Sequence, residues 1–181
     1  VIGPNADSRA ALQGNYSGTA SKYYTVLDGL RSYLGDDVEV LYAQGCHLFR
    51  EQVEGCAEQD DRSAEAVGIA ELSDVVVLCL GLDATIEGEQ GDAFNGDGSG
   101  DKPDLKLPGL QDRLLERILQ TGKPIIVVNL SGSAVDLSFA DQHADAVVQA
   151  WYPGAQGGLA TARLLFGAFS PAGRLPVTFY Q

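Results

Sequence analysis

The stretch VVVLCLGL at residues 75–82 decides the fold. It is a continuous apolar run, too short for a typical helix, and an Asp flanks it on each side. Two more runs, IIVVNL at residues 125–130 and AVVQAW at residues 146–151, have the same character. Runs that are apolar on both faces are typical of a buried parallel sheet. The more strictly alternating stretch VEVLY at residues 38–42 predicts a strand at the edge of that sheet.

Helical patterns alternate with these runs. Residues 25–34, 63–72, 110–119 and 157–166 carry apolar side chains at helical spacing. The third pattern is followed by Gly-Lys-Pro at residues 122–124, a strong signal for a helix end. Strands that alternate with helices predict an α/β fold, here a three-layer α/β/α sandwich with a mostly parallel sheet.

Length and charge narrow the class of protein. The chain has 181 residues, of which 45% are hydrophobic and 20% charged, as in globular proteins. We expect a single domain at residues 1–181, and part of a longer polypeptide because the chain begins at Val1 and contains no Met. The formal net charge of −13 would repel a phosphate backbone and an anionic membrane, so we expect no nucleic-acid or membrane partner. Whether the compartment is cytoplasmic or secreted stays open.

Residues 83–106 form a long segment with no helical or strand period, directly after the most apolar strand. Long loops in compact domains are usually functional, and open α/β sheets bind ligands at the carboxyl ends of their strands. Glu87 and Glu89 lie in this loop beside glycines. Two close carboxylates disfavour each other's ionisation, and a carboxyl that stays protonated near neutral pH can act as a general acid. The same spacing also fits an ordinary solvated acidic loop.

Other chemistries fit the residues poorly. The motif NGDGSG at residues 95–100 resembles the start of a calcium loop, but Lys106 stands where an EF-hand needs Glu. The three Cys and two His match no zinc spacing, and no P-loop or GxGxxG motif is present. We therefore expect no metal and no cofactor. Cys79 is expected to be a buried thiol, whereas Cys46 and Cys56 could pair if the parent chain is secreted.

Ten short motifs, in order, run through the whole chain. They are IGPNA (2–6), GNY (14–16), LDGL (27–30), YAQGC (42–46), DVVV (74–77), LPGLQ (107–111), AWYPG (150–154), GG (157–158), LFG (165–167) and PAGRLPVTF (171–179). In this order and spacing, the chain resembles the second, α/β-sandwich domain of glycoside hydrolase family 3. The last motif is the most specific of the set.

The resemblance implies a retaining, exo-acting β-glycosidase, either a β-xylosidase or a β-glucosidase, that acts on a small saccharide. In that family an upstream (β/α)8 barrel carries the Asp nucleophile, and such a barrel of about 250 residues is absent from these 181 residues. The sandwich domain supplies the general acid/base Glu. Registered on the family pattern, Glu89 falls on the acid/base position, and Glu87 is the other candidate. The string GLDATIEGE at residues 81–89 is more similar to the xylosidase branch.

Two other functions remain as alternatives. The first is a non-catalytic carbohydrate-binding or interaction module with the same fold. The second is a flavodoxin-like or receiver-like α/β domain. A receiver needs an acidic pocket and a Lys after a late strand, whereas Lys123 precedes its strand. The sequence upstream in the parent gene would separate the enzyme from the binding module.

Overall fold

The computed structural model describes residues 1–15, 17–51, 61–89 and 102–180. Helices and strands alternate through most of this length. In chain order they are α1 (Val26–Leu34), α2 (Asp61–Leu72), β1 (Val76–Gly81), α3 (Gln111–Leu119), β2 (Ile125–Leu130), α4 (Ser138–His143), β3 (Ala146–Gln149) and α5 (Gly157–Leu165). The three apolar runs correspond to β1, β2 and β3, and the four predicted helical patterns correspond to α1, α2, α3 and α5, whereas α4 was not predicted.

The three strands form one parallel sheet in the order β1-β2-β3. Val76 pairs with Ile125, and Ile126 pairs with Ala146. All six residues of β1 are buried, as the continuous apolar run predicts. Because the strands are parallel, their carboxyl ends lie along one edge of the sheet, and the connections that follow them are neighbours there.

The N-terminal segment extends the sheet beyond β1. Ile2 forms parallel bridges with both Leu78 and Ala43. Its N–H donates to the carbonyl of Val77 at 2.9 Å, and its own carbonyl accepts from Cys79 at 2.7 Å. The prediction of an edge strand at residues 38–42 is wrong: none of these residues forms a strand, and the pairing is limited to one bridge at the following Ala43, because the short N-terminal segment offers little chain to pair with.

Helices cover both faces of the sheet. On one face, α1 and α5 pack on side chains from alternate positions of β1 and β2. This cluster contains Val26, Leu30 and Ala162 of the helices and Val77, Cys79, Val128 and Leu130 of the strands. On the other face, α2, α3 and α4 share a second cluster: Ala66, Ala70, Leu114, Leu115, Ile118, Ala140, Val76, Leu78, Leu80, Ile125 and Val127. The three-layer α/β/α sandwich is confirmed.

Helix α1 shows how the sequence defines this packing. Thr25 is its N-cap, and its side-chain oxygen accepts from the backbone N–H of Asp28 at 3.1 Å. At the crossing of α1 and α5, a Cβ placed on Gly29 would lie 2.1 Å from the carbonyl carbon of Gly158. The two helices can approach this closely only because both positions lack a side chain.

Three further findings bear on the sequence predictions. Cys46 and Cys79 are both buried, whereas Cys56 and the motif at residues 95–100 lie outside the described residues. Within the described parts of the chain, no helix has the length and apolar character to cross a membrane. The third predicted strand is shorter than its apolar run, since β3 ends at Gln149 and is only partly buried.

Candidate active site

The loop after β1 begins with a tight, hydrogen-bonded turn. Asp83 is 7% exposed, and its carboxylate accepts from the backbone N–H of Thr85 at 2.8 Å and from the Thr85 hydroxyl at 2.6 Å. Its backbone carbonyl accepts from the N–H groups of Ile86 and Glu87 at 3.2 and 3.1 Å. This turn delivers Glu87 to the carboxyl edge of the sheet.

Gln111, at the start of α3, holds the end of β1 from which this loop departs. Its side chain is fully buried. The Gly81 N–H donates to its amide oxygen at 2.7 Å, and its amide nitrogen donates back to the Gly81 carbonyl at 2.8 Å. The same nitrogen also donates to the carbonyl of Leu48 at 2.8 Å. The base of the loop is therefore fixed to a helix and to a neighbouring connection.

Glu87 connects this loop to the ends of the other two strands. Its Oε2 accepts from the backbone N–H of Gly132, just beyond β2, at 2.8 Å. The same oxygen accepts from the hydroxyl of Tyr152, just beyond β3. The two donors fix the position of this oxygen between the ends of β2 and β3.

The turn at the end of β3 and the contact with Gly132 both restrict the position of Tyr152. Trp151, immediately before it, has a φ of 57°, which is unusual for a bulky residue and turns the chain at the end of β3. A Cβ on Gly132 would lie 2.6 Å from Cε2 of Tyr152 and 3.1 Å from Oε2 of Glu87. Burial raises the pKa of Tyr152 well above its usual value, and the hydrogen bond to Glu87 raises it further. The hydroxyl therefore remains a donor throughout the ordinary pH range.

Lys102 attaches the returning end of the loop to the same region. Its ammonium group donates to the carbonyl of Ala134. Partial burial lowers the pKa of Lys102, while the charges of Glu87 and Asp104 oppose that change. Glu87 and Lys102 thus both contact the segment of residues 131–134.

A small network of polar side chains on β2 and β3 holds the segment of residues 131–134. Asn129 is fully buried on β2 and donates to the Ser131 hydroxyl at 3.0 Å and to the Gln149 side-chain oxygen at 2.5 Å. The Gln149 amide donates to the Ser131 hydroxyl at 3.1 Å, and that hydroxyl donates to the Ser133 carbonyl at 2.8 Å. These bonds fix the backbone on both sides of Gly132.

A groove of about 970 Å³ lies apart from Glu87 and Glu89. It runs along the partly exposed β3 and the C-terminal residues, and Trp151 and Phe179 are among the residues that line it. The rings of Trp151 and Phe179 meet edge to face at 5.8 Å. Among the described residues, no three His, Cys, Asp or Glu side chains come together as a metal site would require.

The whole chain, residues 1–181, matches the Glycosyl hydrolase family 3 C-terminal domain. The chain belongs to glycoside hydrolase family 3. It is 40% identical over 183 residues to a probable β-D-xylosidase 7 of Arabidopsis thaliana, covering 99% of this chain and 21% of that protein. It is 34% identical over 194 residues to a periplasmic β-glucosidase of Salmonella typhimurium, covering 99% of this chain and 24% of that protein.

A solved structure of the same family has the same fold. It is a GH3 exo-β-xylosidase (XlnD) in complex with a xylobiose aziridine activity-based probe. The two superpose with a TM-score of 0.81 at 31% identity, over 96% of this chain and 20% of that one. This chain therefore spans about a fifth to a quarter of the length of these relatives.

In this family 3 domain, the two predicted site residues have different surroundings. Glu87 is partly buried and engaged by two donors, whereas Glu89 is exposed at the end of the described part of the loop. The insert that follows, at residues 90–101, lies outside the described residues. The assignment of either glutamate as the acid/base stays a prediction.

Sequence reasoning did not identify Tyr152, Gly132 or Lys102 as site residues. Tyr152 and Gly132 each follow a predicted strand, and that position was the available signal, because residues after parallel strands gather at one edge. Lys102 carried no such signal, since it lies at the far end of a loop without periodicity.

Proposed function

We propose that this domain belongs to a retaining, exo-acting β-glycosidase, a β-xylosidase or β-glucosidase, and supplies the general acid/base Glu89 for hydrolysis of terminal β-linked sugars. Relatives that match over 99% of this chain carry the names β-D-xylosidase and β-glucosidase. The similarity of residues 81–89 to the xylosidase branch favours xylosides. The Asp nucleophile would come from a (β/α)8 barrel elsewhere in the full-length protein.

The observation that carries the choice of Glu89 is the contrast between the two glutamates. A general acid must hold a proton and direct it at the leaving oxygen. Oε2 of Glu87 accepts from two donors within the domain, so this carboxyl is already engaged in holding the loop. Glu89 is exposed on the same loop and is free to face a substrate bound against another domain.

The reaction would be a double displacement. The nucleophile attacks the anomeric carbon while Glu89 gives its proton to the departing oxygen, and a covalent glycosyl-enzyme forms. Glu89, now ionised, then takes a proton from the water that releases the sugar with its original configuration. Both steps use residues of two domains.

The test compares leaving groups in the full-length enzyme. For Glu89→Ala we expect kcat/KM to fall by roughly 10²–10⁴-fold on xylobiose or cellobiose, whose leaving groups need protonation. On dinitrophenyl glycosides, the first step should be almost unaffected because that leaving group departs unprotonated. Glu71→Ala, an exposed glutamate on α2, is the control and should match the parent enzyme.

Equal activity of Glu89→Ala and the parent enzyme on the disaccharides would overturn the assignment. Absence of hydrolysis by the full-length parent protein, with saccharide binding retained, would instead support the non-catalytic carbohydrate-binding module.

A further inference from the structure

Two side chains attach the acidic loop at both of its ends to one short segment. Glu87, before the insert, accepts from Gly132, and Lys102, after it, donates to Ala134. The residues between these two attachments include Glu89. The backbone of the receiving segment is itself held by the buried network around Asn129. The position from which Glu89 extends is therefore set by a rigid part of the sheet edge.

Tyr152 adds a second donor at the first attachment and determines its geometry. With two donors on Oε2, from the Gly132 N–H and the Tyr152 hydroxyl, the Glu87 carboxylate has little rotational freedom. The Tyr152 ring packs against Gly132 on one side and lies near Gly14 on another, where an added Cβ would be 3.0 Å from Cδ2 of the ring. The backbone at Gly132 and Gly14 therefore restricts the movement of the ring on these sides.

We propose that Glu87 and Tyr152 are positioning residues, which hold the loop so that the Glu89 carboxyl lies within reach of the glycosidic oxygen. This inference rests on the proposed role of Glu89 and adds the residues that make that role possible. A displacement of about 1 Å in a catalytic group lowers a rate by roughly 10²-fold, so the attachment acts on the rate although neither residue exchanges the proton.

The experiment uses four test variants of the full-length enzyme, Glu87→Ala, Glu87→Gln, Tyr152→Phe and Glu89→Gln, and one control variant. Glu87→Ala removes the acceptor, and we expect kcat on xylobiose to fall by roughly 10–100-fold with KM little changed. The dinitrophenyl glycoside should lose far less, because its departure needs no acid. Tyr152→Phe removes one hydroxyl only and should shift the same two substrates in the same sense by a smaller factor.

Glu87→Gln separates positioning from catalysis. Its amide oxygen still accepts from Gly132 and Tyr152, but the group cannot donate and recover a catalytic proton. We therefore expect Glu87→Gln to recover most of the xylobiose activity that Glu87→Ala loses. Tyr180→Phe, at a side chain that is 66% exposed, is the matched control and should match the parent enzyme.

Each result has one meaning. Glu87→Gln as inactive as Glu87→Ala on xylobiose would make Glu87 the acid/base and overturn the proposal. Equal losses on both substrates would indicate general structural damage and would also overturn it. If Glu89→Gln loses xylobiose activity while Glu87→Ala and Tyr152→Phe do not, positioning fails and the proposed function stands. If Glu89→Gln is fully active, the proposed function itself fails.

Discussion

Glu87 and Glu89 are separated by one glycine, yet they lie in different environments. Glu87 is partly buried and accepts from a backbone N–H and a tyrosine hydroxyl, and Glu89 is exposed. Two carboxyl groups of the same type can take different roles when their surroundings differ. In this domain the surroundings are created by the ends of three strands, which bring Gly132 and Tyr152 to the loop.

The two buried thiols give a prediction at the same scale. Burial raises the pKa of Cys46 and of Cys79 to about 12 each. Since the thiolate is the nucleophile, only about 10⁻⁴ of each thiol is reactive at pH 8, and access is blocked as well. We expect the peptides that contain Cys46 and Cys79 to remain unlabelled after the folded protein has been treated with iodoacetamide for an hour, as measured by mass spectrometry.

The control for this measurement is the same protein in 8 M urea, where the two cysteines should label within minutes. Rapid labelling of Cys46 or Cys79 in the folded chain would contradict the packing described for the segments around them.

Individual site residues were predictable only where chemistry and position coincided in the sequence. The two glutamates were found because they lie close together in a long loop after a strand. Tyr152 was missed because its partner Glu87 is 65 positions away, and the contact exists only once β1 and β3 share a sheet. Apart from its position after a predicted strand, Gly132 gave no signal, because its role is a backbone N–H and the space left by a missing Cβ.

At the scale of elements, the crossing of α1 and α5 fixes one helical layer. Gly29 and Gly158 meet there, and the helices cover β1 and β2 with aliphatic side chains. A side chain at either glycine would keep the two helices farther apart. The strand positions themselves came from the sequence with small errors, since β2 matches its predicted bounds and β1 is shorter by one residue at each end.

A substitution at this crossing tests the packing. Gly29→Ala places a Cβ 2.1 Å from the carbonyl carbon and oxygen of Gly158, so the helices must separate. We expect the free energy of unfolding to fall by about 1–3 kcal/mol, measured by urea denaturation of the chain. Gly68→Ala on α2 is the control, because nothing lies within 4 Å of the added Cβ. It should raise stability by roughly 0.5–1 kcal/mol. A stabilised Gly29→Ala would contradict the crossing.

Edges were harder to predict than the interior of the sheet. The run at residues 146–151 is as apolar as the central strands, but β3 contains only four of these residues and is partly exposed. A hydrophobic pattern indicates that a segment is covered by other parts of the protein. It does not show whether a neighbouring strand or the C-terminal residues cover it. The edge strand predicted at residues 38–42 was misplaced for a similar reason, because the pairing that forms, at Ala43, depends on the distant Ile2.

For the molecule as a whole, the central point is that the loop at the carboxyl edge of the sheet carries two glutamates in different surroundings. Glu87 is held by hydrogen bonds, and Glu89 is exposed. The chain spans about a fifth to a quarter of its relatives, and the proposed reaction needs a nucleophile from another part of the full-length protein. The contribution that we propose for the domain is an acid/base on a loop held at both ends, and the measurement that tests this proposal must use the full-length protein.

The most direct measurement is the product that full-length Glu89→Ala forms from a dinitrophenyl β-glycoside in the presence of sodium azide. Azide needs no deprotonation, so it can attack the glycosyl-enzyme where water, without a general base, reacts slowly. We predict faster turnover with azide and a β-configured glycosyl azide as the product, whereas the Glu71→Ala control releases the free sugar. Formation of that azide by Glu87→Ala but not by Glu89→Ala would contradict the assignment of the acid/base to Glu89.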